Sequence, residues 1–185
     1  MSSRIKFYLL FGTVIMDFVY AATSPIIQVH FVTLVGPNIL AMANILSTGL
    51  AAIVNATIPV QRIKDWYRKH FLAIIVIDTI CFALISFESV SVPEVRFLGF
   101  AVLNAVSSTL WWTIIKDAIN HNIEGDELTS WDSIQRSVNL GAALIGSIVA
   151  VIFTAMPVEA CILAQCIASA IMGMSDWQAY KFLRY

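Results

Sequence analysis

The stretch FYLLFGTVIMDFVYAATSPIIQVHFVTLV, residues 7–35, carries one acidic residue, Asp17, and no lysine or arginine, and apart from Gln28 and His30 the rest of the run is apolar or small and uncharged. A helix needs roughly 20 apolar residues to cross the hydrocarbon of a bilayer. The segment is therefore read as a membrane span, and this sets the class of the chain. Arg4 and Lys6 precede it, and Val19-Tyr20-Ala21 resembles a small-residue cleavage site, as in a secretory signal peptide. The apolar run continues well past Ala21 to Val35, so it is read as a retained span.

Five further apolar runs follow, at 39–60, 71–87, 95–115, 134–156 and 158–174, predicting an all-α integral membrane protein with six transmembrane helices in a single domain, 1–185. Composition agrees: 59% of residues are apolar, mean hydropathy is +0.82, and only 12% are charged, about half the share in a soluble domain. The lipid bilayer is the first partner. A net charge of −1 offers nothing to the polyanionic backbone of nucleic acid. Cys81, Cys161 and Cys166 lie within apolar runs with no metal-ligand spacing, and read as small buried hydrophobes.

Orientation follows from the basic residues. With the amino terminus inside, Arg4, Lys6, Arg62, Lys64, Arg68, Lys69, Lys116, Arg136, Lys181 and Arg184 are cytoplasmic and only Arg96 is external. Both termini are then cytoplasmic, as expected of a multi-pass protein of the cell membrane. Trp111, Trp112, Trp177, Tyr180 and Tyr185 fall at the inner interface, where aromatic belts form. Connectors are expected at Gly36-Pro37-Asn38, 61–70, 88–94, 116–133 and around Pro157. In the 116–133 connector, Gly125 supplies a turn and Thr129-Ser130-Trp131-Asp132 has capping-box spacing that would start the fifth helix. His121, Glu124, Asp126, Glu127 and Asp132 match no metal-binding loop motif and read as solvating charges.

Polar residues within the spans recur at helical offsets of four, seven and eleven. They comprise Asp17, Ser24 and Gln28; Asn44, Thr48 and Asn55; Asn104, Ser108 and Trp111; Gln135 and Asn139, continued by Ala142 and Gly146; and Gln165, Ser169 and Asp176. Two readings of such faces stay open. Small residues and amides pack and hydrogen-bond helices together, or they line a pathway for a polar solute. Asp17 is different in kind, because a carboxylate at bilayer depth costs about 2.5–3.5 kcal/mol unless protonated, paired or hydrated. It is read either as a group facing a water-filled pathway or as a protonated carboxyl bonded to neighbouring helices. Asp78 in the third span invites the same argument. Pro25 is expected to interrupt the first helix and free a backbone carbonyl.

The loop Gln61-Arg62-Ile63-Lys64-Asp65-Trp66-Tyr67-Arg68-Lys69-His70 and the stretch Ser133 to Ala150, with Arg136, Ser137, Gly141 and Gly146, resemble the loop between helices 2 and 3 and helix 5 of the major facilitator superfamily. The family's loop pattern is G-x-x-x-D-[RK]-x-G-[RK]-[RK]. Asp65 and Lys69 fall on its acidic and basic positions, whereas Gln61 and Arg68 replace its two glycines and Trp66 its first basic residue. The likeness covers nearly the whole chain in layout and two short segments in motif. It implies one six-helix half of such a transporter, built of two three-helix repeats, working by alternating access as a homodimer or with a second six-helix half. On their inward polar faces Asp17, Ser24, Gln28, Asn44, Asn104, Ser108 and Asn139 are the candidates for the pathway of a small solute, drug or proton, and the resemblance makes Asp65, Arg68 and Lys69 candidates for a cytoplasmic gate loop. Helix 4 lacks the arginine found in many proton-coupled exporters, since Arg96 is at its outer edge, so proton-driven antiport is not implied.

An enzyme is disfavoured: there is no HExxH, no GxSxG, no paired histidines and no glycine-rich phosphate loop. No catalytic residue, metal ligand or cofactor is therefore expected. A membrane interaction protein, such as an accessory or immunity factor, needs no chemistry and is the competing class. The orientation is directly testable: a reporter active only in the cytoplasm should give signal when fused after Tyr185 or inserted within 123–129, and none at Val90. Signal at Val90 would overturn both the orientation and the number of crossings.

Overall fold

A computed structural model describes residues 1–57, 92–123 and 125–183, apart from the side chains of Arg96, Phe100, Asn104, Ser107, Ser108 and Trp111. Every regular element among the described residues is a helix: α1 (Ser3–Thr57), α2 (Pro93–Asn122), α3 (Asp126–Phe153) and α4 (Val158–Tyr180). Of these, α1, α3 and α4 are long and apolar enough to cross a membrane. The expected third span, 71–87, lies outside the described residues, as do Cys81, Asp78 and the loop residues Asp65, Arg68 and Lys69.

At 1.5 Å per residue, α1 would be roughly 80 Å long if straight, far more than a bilayer is thick. Its backbone breaks at Gly36, with φ 79° and ψ 162°, a region that only glycine occupies without strain. Pro37 follows, where a missing N–H costs nothing at the first position of a new helix. Contacts along α2 show that the chain turns back here. The Phe31 ring lies 5.0 Å from that of Phe97, whereas Ile5 and Leu9 cluster with Ile114, Ile115 and Ile119. The Thr113 hydroxyl then donates to Asn55 Oδ1 at 3.3 Å. Phe97 and Thr113 are roughly 24 Å apart along the α2 axis, so residues 37–57 retrace the direction of residues 3–35.

The part of α1 before Gly36 is the axis of the bundle. It packs extensively on α2, α3 and α4, which make little contact with one another. Lys6 meets Glu127, Thr13 meets Asn139, and Phe18 and Ala21 meet Gly146, so α3 runs parallel to it. Tyr8 meets Ser175 and Thr23 meets Gln165, so α4 runs antiparallel. Both ends of the chain therefore lie at one end of the bundle, where Arg4 sits over the Phe182 ring at 5.4 Å. Thr57 lies at that end and Pro93 at the other.

Apolar clusters close the two ends. Trp131, Ile114, Ile123, Ala179 and their neighbours fill the end with the termini, and Phe31, Ile162 and Cys166 the opposite one. Cys161 and Cys166 are buried and free. Between the clusters, backbones approach closely. A Cβ at Gly12 would lie 2.9 Å from Met172 Cα, and one at Gly146 would collide with the Phe18 carbonyl. Buried polar pairs reinforce this middle layer. Gln165 Nε2 donates to Thr23 Oγ1 at 2.9 Å, and Ser175 Oγ donates to the Tyr8 carbonyl at 2.6 Å. The outer face of α3 is the reverse: Leu140, Leu144, Ile148, Val151 and Ile152 are each 63–75% exposed, an apolar face suited to lipid and not to water.

Three expectations are corrected. The connector 116–133 is mostly helix, because α2 continues to Asn122 and α3 begins at Asp126, leaving a turn at 123–125 with Gly125 at φ 59°. The fifth helix thus starts ahead of Thr129; polar residues sustain a helix once it leaves hydrocarbon, and the Asp126 and Glu127 carboxylates suit its amino-terminal dipole. The helix also continues through Pro25, and within α1 only Gly36 leaves helical geometry. One lost backbone bond is tolerated where the proline φ is already helical.

The close approach predicts a sharp contrast among glycines of one helix. Gly146→Leu should lower thermal stability by about 1–3 kcal/mol or more through overpacking. Gly141, around which a Cβ would meet nothing within 4 Å, should accept alanine with a gain of up to about 1 kcal/mol. Thermal unfolding of the two variants in one detergent checks this, and equal tolerance would contradict the packing.

Candidate functional site

Below the Thr13–Asn139 contact, at the end of the bundle that holds the termini, α2 and α3 part. A cavity of about 300 Å³ opens between them. Its wall on α2 is Trp112, Ile115, Lys116, Ile119 and Asn120; its wall on α3 is Asp132, Gln135, Arg136 and Asn139. Ile115 and Ile119 are buried and give it an apolar floor. The polar residues sit at helical spacing on each side, since 116 and 120 are one turn apart and 132, 135, 136 and 139 trace one face of α3.

Electrostatically the cavity is cationic: Lys116 and Arg136 stand against one carboxylate, Asp132. Asp132 precedes Arg136 by one turn, a spacing that often yields an ion pair. None forms, and among the described residues neither Lys116 nor Arg136 has an ion-pair partner. The neighbouring basic residue Lys6 is engaged instead, donating to Glu127 Oε1 at 2.9 Å. The amino-terminal ammonium reaches the same oxygen at 3.2 Å. These hydrogen bonds, Lys6 first, hold the exposed Glu127 carboxyl below the usual glutamate range. This tie joins the start of α1 to the charged first turn of α3 beside the cavity.

Asn139 is the deepest polar residue of the cavity and connects it to α1. Thr13 Oγ1 lies 3.4 Å from Asn139 Oδ1, 3.0 Å from the Leu9 carbonyl and 3.1 Å from the Leu10 carbonyl. One hydroxyl hydrogen cannot serve all three. With the Asn139 amide turned over, its Nδ2 donates to Thr13 Oγ1 while Thr13 donates to Leu9, which removes the competition for the one hydroxyl hydrogen. Asp17 follows Thr13 by one helical turn on α1, half-buried, and makes no hydrogen bond or ion pair among the described residues.

The other sequence-derived candidates are distributed more widely. Ser24 is buried and accepts a long hydrogen bond, 3.5 Å, from the exposed Gln28. Asn44 is exposed after the Gly36 turn, and its side chain makes no hydrogen bond among the described residues. Thr48 and Asn55 share its exposed face. The side chains of Asn104 and Ser108 lie outside the described residues. Sequence reasoning passed over Lys116, Asn120, Asp132 and Gln135 as cavity residues because it placed most of them in a loop. Their i, i+4 and i, i+3, i+4, i+7 spacings are the signal that could have found them.

No group of three or more histidine, cysteine, aspartate or glutamate residues comes together to hold a metal among the described residues. No protein-family model matches the chain, and no curated protein or solved structure is significantly similar to it.

Proposed function

We propose that the protein is a half-size, major-facilitator-like secondary transporter that moves a small solute across the cell membrane, paired with a second copy. The observation that carries this is a polar series: Asn139 lines the cavity and meets Thr13, and the half-buried Asp17 follows Thr13 by one turn of an apolar helix. A carboxylate at that depth persists where water or a ligand reaches it.

The helix order supports the six-pass reading. Residues 3–35 and 37–57 run in opposite directions, α3 is parallel to the first of these, and α2 and α4 are antiparallel to it. Thr57 and Pro93 stand at opposite ends of the bundle, and the apolar run 71–87 lies between them in sequence. The end bearing Arg4, Lys6, Lys116, Arg136 and Lys181 is the cytoplasmic one by the distribution of basic charge. The exposed Asn44 and Thr48, costly against lipid, form the face that a second copy covers. In this scheme Asn139 and Asp17 meet the solute from the cytoplasm, and Gln28 lies on the outer side of the path.

Water access at Asp17 tests the reading without knowledge of the solute. In a variant whose cysteines are replaced, Asp17→Cys should react with a membrane-impermeant thiol reagent in both right-side-out and inside-out vesicles. Ile148→Cys, on the lipid face, should react in neither. Failure of position 17 to react from either side would remove the pathway.

A further inference from the structure

We propose that the cavity between α2 and α3 binds a phosphate group, clamped by Lys116 from one wall and Arg136 from the other. It shares Asn139 with the pathway described above, but the site is defined by the cavity and holds whether or not the chain transports.

Charge comes first. Lys116 and Arg136 are two cations on facing helices, without ion-pair partners among the described residues, lining one partly open cavity. An anion seated between two cations of one cavity is attracted by both. Their chemistries are complementary for phosphate. The guanidinium presents a planar fork that engages two oxygens, and the ammonium is a compact charge that adapts to a third. Asn120, Gln135 and Asn139 add amide donors around the same volume.

Size and position narrow the ligand. About 300 Å³ is the lower end of small-molecule sites, ample for a phosphate with a short carbon skeleton. The cavity lies where α2 and α3 pass from apolar to charged sequence, the depth at which lipid headgroups sit, and basic pockets between transmembrane helices on the cytoplasmic side are suited to phospholipid headgroups. Trp112, 40% exposed on the rim, is a residue type favoured at that interface. The phosphate can thus belong to a headgroup or to a soluble phosphomonoester, since both present the same oxygens to the same cations. Asp132 opposes either one. Its carboxylate on the cavity wall lowers the affinity for an anion, which gives the site a distinctive signature.

The test uses the purified full chain in mild detergent, reading thermal stability as ligand is added, since a ligand that binds the folded state raises Tm by mass action. One arm adds glycerol 3-phosphate, with glycerol as control. The other adds short-chain phosphatidylglycerol, with phosphatidylcholine of equal chain length as control. Saturable stabilisation in the first arm assigns a soluble phosphomonoester, in the second alone a headgroup; absence of both overturns the proposal. Whichever probe stabilises, Lys116→Gln with Arg136→Gln should weaken it at least tenfold, Asp132→Asn should tighten it severalfold, and Lys181→Gln, outside the cavity, should change nothing. Should the double variant not fold, Asp132→Asn still decides, because weaker binding there overturns the site. Binding that survives Asp17→Asn while water access at position 17 fails separates this site from the transport reading.

Discussion

The structure depends on how closely residues 3–35 approach their neighbours. Inside a bilayer, burying apolar surface yields little, because lipid tails are as apolar as leucine, and helices associate through van der Waals contact and hydrogen bonds. Both need short distances. Gly12 lets the α4 backbone reach α1 at Met172, and Gly146 lets α3 rest on the carbonyl of Phe18. The buried pairs Thr23–Gln165 and Tyr8–Ser175 form only at that separation. Remove the close approach and the polar groups lose their partners in a solvent that cannot replace them.

One central helix with three partners that scarcely touch each other has a further consequence. Where α2 and α3 diverge, no other described residue fills the gap, and a cavity forms between them. Its lining is polar because it lies beyond the apolar stretch of both helices, and charged because basic residues collect at that end. The same packing logic that makes α1 the axis therefore leaves room for a polar concavity between α2 and α3. Asn139 belongs to both: it pairs with Thr13 as a packing residue and faces the cavity as a lining one.

Much of this was legible in the sequence. Apolar run lengths gave the helical membrane class, Gly36-Pro37 marked the reversal, and the Ala142–Gly146 series marked a packing face. Asn139 stood out as an amide on that same face. What escaped was the role of residues 116–136. Charge and Gly125 made this stretch read as a loop, whereas helix continues past the apolar limit on both sides, since water-exposed turns need only adequate propensity and a suitable first turn. In sequence Lys116 and Arg136 are only two of the basic residues assigned to one side of the membrane, and the facing of two helical walls is what brings them to one cavity. Pro25 was over-read for a related reason: a proline removes one hydrogen bond, and packing against α4 on either side of it keeps the helix straight enough to continue.

The arrangement of α3 and α4 about α1 is the claim on which the cavity, the axis and the common end of the termini all rest. Disulfide cross-linking in membranes, in a background without native cysteines, tests it directly. Cysteines at Thr13 with Asn139, and at Thr23 with Gln165, should join readily under mild oxidation, because those side chains meet at 3.4 Å and 2.9 Å. Cysteines at Thr23 with Asn139, or at Thr13 with Gln165, should not. Efficient joining of the second set, with none in the first, would show that α3 and α4 run against α1 in a different register and would contradict the account.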